Sequence, residues 1–358
     1  KIWLNKMKKV IDNNNKNNNN NKKSSNLLLV VIGIVVILGL IFLVSFMVSE
    51  AEEKRDFEDV SISISATSLL PALIHIADSN GYFLEEGVNV EIKGYSAGKF
   101  AFQAMLDDEV DIATVSDPNI VVKSFERNDF MTFTTIVNSA DHVKVLTRKD
   151  TGIVNPADLK GKIVATTKGT TAHFSMITFF VFNSLSLDDV ELIDLKPGEM
   201  IEAIKSKQVD VIFTWEPNII KAQRSLGEEA NLLPNDYGYS ATFNLASKTD
   251  LISEHPEVFE KIIRALFKAE KFVKQNKQES IEIVAVAVNG TKQDIEELWA
   301  NYNFNVVLDH SLLLTLEDEA RWYVENNLTD AKEVPNYLDY IHLNTLEKVK
   351  PEAIGIIR

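Results

Sequence analysis

Five short stretches of this chain carry residue types able to hold a small charged molecule. Thr67 and Ser68 stand at a polar turn ahead of an apolar run, and Gly169, Thr170 and Thr171 stand at another. If a helix begins at each, its free N–H groups and the positive end of its dipole suit an oxyanion. The hydroxyls add donors, and Gly169 allows close backbone approach. Ordinary helix caps favour the same residue types, so that reading stands beside the first. A third stretch, Gly98-Lys99, is a glycine loop followed by an ammonium that either pairs with an anion or is simply solvated. The fourth and fifth are Ser116-Asp117-Pro118-Asn119 and Trp215-Glu216-Pro217-Asn218. In both, an acid precedes a proline suited to a first helical turn. Asp117 also fits a plain N-cap; Glu216 fits one poorly. Two carboxylates facing a cleft would hold an ammonium group, so a zwitterion would satisfy both kinds of site. Trp215 reads either as a lid over an apolar substituent or as core. His173, near the start of the second helix, is either a neutral donor to a ligand or a surface residue.

These stretches recur because the chain repeats itself. Residues 104–120 align without a gap on residues 203–219. Upstream, Val90-Glu91-Ile92 followed by Gly98 matches Val190-Glu191-Leu192 followed by Gly198. The period of about 100 residues is too long for a solenoid unit and suits a lobe built twice. Each copy reads strand, glycine loop, helix, strand, acid-Pro-Asn. In a parallel α/β sheet the carboxyl ends of the strands form the ligand crevice. Two such lobes make a clamp, with lobe 1 expected over 58–138 and 244–358 and lobe 2 over 139–243.

Alternation marks a strand over 60–65, with its counterpart at 162–166. Helices are expected over 70–77 and 172–183. The second contains Ile177-Thr178-Phe179-Phe180-Val181-Phe182, whose propensity favours a strand, so its place in the repeat decides it. Segments 133–149 and 241–246 are the crossovers, with the gate between lobes at 133–138 and 238–244. Val258, Phe259, Ile262, Ile263, Leu266 and Phe267 trace one face of a helix opening at Pro256. Further helices fit 294–302 and 313–326, and 336–358 packs back on the lobes.

The first 50 residues differ in kind. Seven lysines surround an asparagine tract, so 1–26 is expected to be a disordered, cytoplasmic tail. Residues 27–48 carry no charge and as a helix would cross a bilayer core. Lysines before the span and Glu50, Glu52 and Glu53 after it place the remainder outside the cytoplasm. A long secretory signal cleaved near Ser49-Glu50-Ala51 is the competing reading, with the same consequence for the remainder. The net charge is −15, and the basic head makes the rest more acidic still. That excludes the basic footprint of a nucleic-acid binder. With no cysteine in the chain, disulfides, thiolate metal sites and thiol nucleophiles are excluded. His75, His142, His255, His310 and His342 show no metal-ligand spacing, and no cofactor motif is present. No Gly-x-Ser-x-Gly elbow, phosphate-loop lysine or readable pair of catalytic carboxylates points to an enzyme.

The stretch from Ile62 to about Ala222 resembles the solute-binding proteins of ABC importers for nitrate, sulfonates and taurine. The resemblance rests on Asn80-Gly81-Tyr82-Phe83-Leu84-Glu85-Glu86-Gly87-Val88, Glu109-Val110-Asp111-Ile112, Asp158-Leu159-Lys160-Gly161-Lys162, Lys168-Gly169-Thr170-Thr171-Ala172-His173-Phe174 and Trp215-Glu216-Pro217. It implies a two-lobed type II periplasmic-binding fold with a helical C-terminal part, preceded by one N-terminal transmembrane helix in this chain. It implies capture of a small anion or zwitterion by hinge closure and delivery to permease and ATPase subunits of an ABC importer. A ligand-sensing ectodomain of a signalling system fits the same resemblance. A pyrimidine-synthase-like enzyme fits it less well, because that branch has a histidine ten residues before its Gly-Tyr-Phe turn and this chain has Pro71.

Overall fold

Each copy of the repeat grows into its own sheet. A computed structural model describes residues 58–235, 240–326 and 328–357. The expected tail at 1–26 and the apolar segment at 27–48 lie outside the described residues. Among the described residues no helix is long and apolar enough to cross a membrane.

In the first copy, β1 (Glu58–Ser65), β2 (Val88–Tyr95) and β3 (Ile112–Ser116) run parallel in the order β2-β1-β3. Helices α1 (Ala72–Ser79), α2 (Gly98–Leu106) and α3 (Asp117–Ser124) follow them in turn. The chain then forms β4 (Phe130–Ser139) and enters the second copy through β5 (Val143–Arg148). There β6 (Ile163–Thr166), α4 (Thr171–Phe182), β7 (Glu191–Asp194), α5 (Pro197–Lys205), β8 (Val211–Trp215) and α6 (Asn218–Leu226) repeat the pattern. The parallel order is β7-β6-β8. After β9 (Ala230–Leu233) the chain returns through β10 (Ala241–Lys248). β10 lies antiparallel beside β3, as β5 lies antiparallel beside β8. The first sheet is completed by β4 and β11 (Asn303–Val307), the second by β9.

The aspartate common to the two copies does the same structural job twice. Asp111 Oδ2 accepts from the N–H of Ser61 at 2.7 Å and its hydroxyl at 2.6 Å. Asp210 Oδ2 accepts from the N–H of Ile163 at 3.0 Å. Each carboxylate thereby satisfies a backbone donor of a central strand, midway along β1 and at the start of β6.

α4 is helical against its local propensity because tertiary burial decides it. Met176, Phe179 and Phe180 sink into the second lobe's core, where Phe213 meets both phenylalanines edge-on at 5.3 and 6.0 Å. Phe174 belongs to the core of the first lobe. Burying each of these side chains contributes roughly 2–3 kcal/mol, more than their combined propensity penalty. The long helix α7 (Pro256–Gln275) buries Phe259, Ile262, Ile263 and Leu266 in the first lobe, with Phe259 edge-on to Phe133 of β4 at 5.0 Å. The C-terminal segment does pack back on the lobe. Tyr340 donates to the Ser124 carbonyl at 3.0 Å, and the Tyr337 and Ser124 hydroxyls lie 2.8 Å apart.

The passage between lobes differs from expectation. Ser139 still pairs with Ala241 inside the first sheet, whereas Val143 already pairs with Trp215 inside the second. Residues 133–138 and 242–244 are therefore tied into the first sheet's ladder. The connections are 140–142 and 234–240, of which 236–239 lie outside the described residues.

Arg148 is the buried polar node of the second lobe. Its guanidinium donates to the Ile204 carbonyl at 3.0 Å, to that of Val209 at 2.5 Å and to Asp150 at 2.9 Å. Truncation would leave two carbonyls without their donor inside the protein. Arg148→Ala is expected to lower unfolding stability by about 3 kcal/mol; a loss under 1 kcal/mol in urea titration would show the node to be dispensable.

Candidate functional site

The helices that follow β2, β3 and β6 all begin at one small cavity between the lobes. Gly98 and Lys99 open α2, Ser116 is the N-cap of α3 and Thr170 that of α4. A helix start leaves N–H groups unpaired, and neither N-cap side chain caps its own helix. Thr170 turns its hydroxyl back to the Thr167 carbonyl at 2.6 Å, and Ser116 donates to Asn119 Oδ1 at 2.8 Å. The cavity measures about 30 Å³, room for a water or two.

Its wall mixes apolar side chains with hydroxyls, an indole, an amide and an ammonium. Ser65, Leu70, Gly98, Lys99, Thr114, Val115, Ser116, Asn119 and Phe243 come from the first lobe. Thr170, Thr171 and Trp215 come from the second, and His142 from the connection. Among the described residues no carboxylate lines it. Two buried polar groups in the wall, Thr114 Oγ1 and Trp215 Nε1, have no hydrogen-bond partner among the described residues. A buried polar group left unpaired costs about 1–3 kcal/mol, so these two are poised for a ligand or water.

Two hydrogen bonds cross between the lobes beside this cavity. Asn119 donates through Nδ2 to the Gly169 carbonyl at 2.6 Å, and Lys99 Nζ donates to the Lys168 carbonyl. The Ser116 bond to Oδ1 orients the Asn119 amide so that its NH2 faces Gly169. Gly169 itself has φ +70°, the left-handed region that favours glycine, and the Lys99 side chain passes 4.0 Å from where its Cβ would stand. These contacts hold the lobes together over the cavity.

Of the residues singled out from sequence, Gly98, Lys99, Ser116, Thr170, Thr171 and Trp215 meet at this wall. The other six do not line it. The chain turns after β1 so that Ser65 and Leu70 face the cavity in place of Thr67 and Ser68. Ser68 is buried, its hydroxyl accepting from the Leu70 N–H at 3.2 Å. Gly169 contributes only its carbonyl to the lobe contact. His173 accepts through Nδ1 from the Gly169 N–H at 3.4 Å, closing the turn. Burial, aided by the charges of Lys168 and Lys99, lowers its pKa to about 4.

The acid pair is turned inward as well. Asp117 is fully buried and accepts from the Thr242 N–H at 3.1 Å. Glu216 is fully buried and accepts from the Ile220 N–H at 3.1 Å inside α6. The ammonium site expected from these two carboxylates is therefore not formed at the cavity. Burial raises the pKa of Glu216 to about 7. His142 and Asn119 line the cavity without having been singled out. Asn119 carried a signal, since it sits in the repeated acid-Pro-Asn. His142 lies in a connection between copies and carried none.

Comparison with known proteins bears on this arrangement. The family described as NMT1/THI5 like matches residues 71–280, more than half of the chain. A protein of Bacillus subtilis (strain 168) named for binding aliphatic sulfonates is 23% identical, over 84% of this chain and 92% of its own length. The taurine-binding periplasmic protein of Escherichia coli (strain K12) is 23% identical over 57% of this chain and 63% of its own. Among solved structures, the alkanesulfonate-binding protein SsuA from Xanthomonas axonopodis pv. citri bound to MOPS superposes with a TM-score of 0.69. It shares 17% identity and covers 80% of this chain and 98% of its own, a likeness of fold.

Two outcomes follow from the geometry. Asn119→Asp would set a carboxylate against the Gly169 carbonyl, so the ligand-free variant is expected to scatter X-rays with a larger radius of gyration than the unmodified chain; identical curves would remove the Asn119 contact as a determinant of closure. Glu216 has a folded pKa above its ordinary 4.5. Its contribution is therefore full below about pH 4.5 and is lost as pH rises through about 7, by on the order of 3 kcal/mol. Glu216→Gln should flatten the fall in urea stability between pH 5 and pH 8; an unchanged slope would assign that fall to other groups.

Proposed function

Because the chain belongs to the NMT1/THI5-like family, we propose that it is an extracytoplasmic solute-binding protein that captures a small anion and delivers it to the membrane subunits of an ABC importer. The single observation that carries this reading is the pair of buried polar groups, Thr114 Oγ1 and Trp215 Nε1, that have no partner among the described residues at a cavity where three helices begin. Hydroxyls, an asparagine amide, helix N-termini and Lys99 stand around them, with no carboxylate among the described lining residues. Charge-assisted bonds from such donors favour an oxyanion over a cation or a neutral solute. Contacts from both lobes exist together only when the lobes are closed, so the ligand shifts the population toward closure. A small anion such as a short alkanesulfonate, taurine or nitrate would enter as the lobes part and place its acid group against this wall. The names of the sulfonate and taurine relatives support that range. Binding without turnover is the proposed activity, since the wall offers donors and no nucleophile–base pair.

The reading is tested by calorimetry on the full chain with ethanesulfonate, taurine, nitrate and the uncharged ethanesulfonamide. At least one of the anions is expected to bind at micromolar concentration or below, with the sulfonamide tenfold or more weaker than ethanesulfonate. Taurine should gain nothing over ethanesulfonate, because Asp117 and Glu216 stand away from the cavity. Thr171→Val and Trp215→Phe should each weaken the binding anion by about tenfold or more. Preference for the sulfonamide, or binding indifferent to both substitutions, would remove the anion site from this cavity.

A further inference from the structure

His142 sits in the connection between the lobes and lines the cavity, and its two ring nitrogens have different fates. Nδ1 lies 2.9 Å from the Tyr302 hydroxyl. Nε2 has no partner among the described residues. The imidazole is held on three sides. It stacks on Trp215 at 6.4 Å between centroids and 20° between planes, and it meets Phe243 and Tyr302 edge-on at 5.0 and 5.8 Å. Both Trp215 and Phe243 are cavity residues.

Tyr302 decides which nitrogen carries the proton. Its hydroxyl is buried, and His142 Nδ1 is its one hydrogen-bond partner among the described residues. Were Nδ1–H the donor, the phenol proton would be buried without an acceptor, at a cost of about 1–3 kcal/mol. With the phenol donating to Nδ1, the phenol proton is satisfied, the ring's own hydrogen rests on Nε2, and that N–H alone is left for a ligand or water at the cavity. Burial lowers the His142 pKa to about 3, so the ring is neutral at physiological pH.

We propose that His142 is a ligand-binding residue that presents a neutral Nε2–H beside the Trp215 indole N–H, and that Tyr302 is the positioning residue that fixes this tautomer. The two N–H groups form a paired donor for one oxyanion, supplied from the connection and from the second lobe together. A neutral donor binds an anion without a counter-charge that would have to be rehydrated on release. It also makes the closed connection part of the binding surface, so the ligand touches the segment that must bend. This proposal rests on the anion-site reading and adds to it the residue, the tautomer and its cause.

The test is long-range proton–nitrogen NMR of the full chain with labelled histidine and tryptophan, with and without ethanesulfonate. The ligand-free protein is expected to show His142 as the Nε2–H tautomer, with Nε2 and the Trp215 indole N–H both moving when ethanesulfonate binds. Tyr302→Phe is expected to release the tautomer preference and weaken ethanesulfonate by about tenfold, with the Trp215 shift retained. An Nδ1–H tautomer in the unmodified chain overturns the proposal whether or not the variant folds. A Trp215 shift with an unmoved His142 ring overturns it too, while leaving the anion site intact. Silence of both rings overturns the proposal and the anion site together.

Discussion

A buried polar group must find a partner, and the cleft of this protein holds two, Thr114 Oγ1 and Trp215 Nε1, that have none among the described residues. The parallel strand order shapes that cleft. In each lobe the chain leaves the carboxyl end of a strand and starts a helix, which exposes N–H groups at one edge of the sheet. Two lobes set face to face bring three helix starts, α2, α3 and α4, to one cavity. Side chains do not relieve this. Thr114 and Trp215 have polar atoms without a partner among the described residues, and Thr170 turns its hydroxyl outward to Thr167 rather than capping its own helix. A ligand or water entering the cavity can supply the missing partners. A small anion is the species that accepts most bonds per atom.

The duplicated sequence explains the scaffold better than it explains the cleft. Asp111 and Asp210 hold equivalent strands by equivalent bonds to a backbone N–H. That shared need accounts for the clearest part of the repeat. Further along, the copies diverge where the lobes do different work. Ser116 aligns with Trp215: the first directs the Asn119 amide at the other lobe, and the second gives an indole to the cavity. Asp117 reaches the backbone of β10, whereas Glu216 closes on its own helix. Two identical lobes would make a symmetric clamp. These differences give it one wall with an indole and one set of lobe contacts.

The strands and helices shared by the two copies were legible because period and repeat are properties of local sequence; the order of strands in each sheet was not. α4 was legible only through the repeat, since its own residues favour a strand. The cavity was half legible. Gly98, Lys99, Ser116, Thr170, Thr171 and Trp215 sit where chain direction alone puts them, at strand ends and helix starts. Thr67, Ser68, Asp117 and Glu216 were misplaced because a side chain's direction at a turn depends on packing. One residue of offset exchanges a cavity wall for a core, and buried carboxylates at such turns serve backbone N–H groups. His142 was illegible for another reason. Its proton position depends on Tyr302, 160 residues away in sequence, and no local pattern encodes that contact.

The connection between lobes carries a conflict that the rest of the fold has to absorb. Hinge residues usually face water and tolerate bending, yet His142 is fully buried here against Trp215, Phe243 and Tyr302. Its carbonyl accepts from the Glu216 N–H at 3.1 Å, so the turn that carries Glu216 is coupled to the same segment. Opening the lobes would draw on both. Separating this aromatic packing exposes apolar surface, which opposes opening, while hydrating Glu216 relieves a carboxyl held in a site that disfavours its charge. The two tendencies act in opposite directions on one bend. A clamp that closes for a small ligand needs such a balance. With few ligand atoms to supply binding energy, the open and closed states must lie within a few kcal/mol of each other before the ligand arrives.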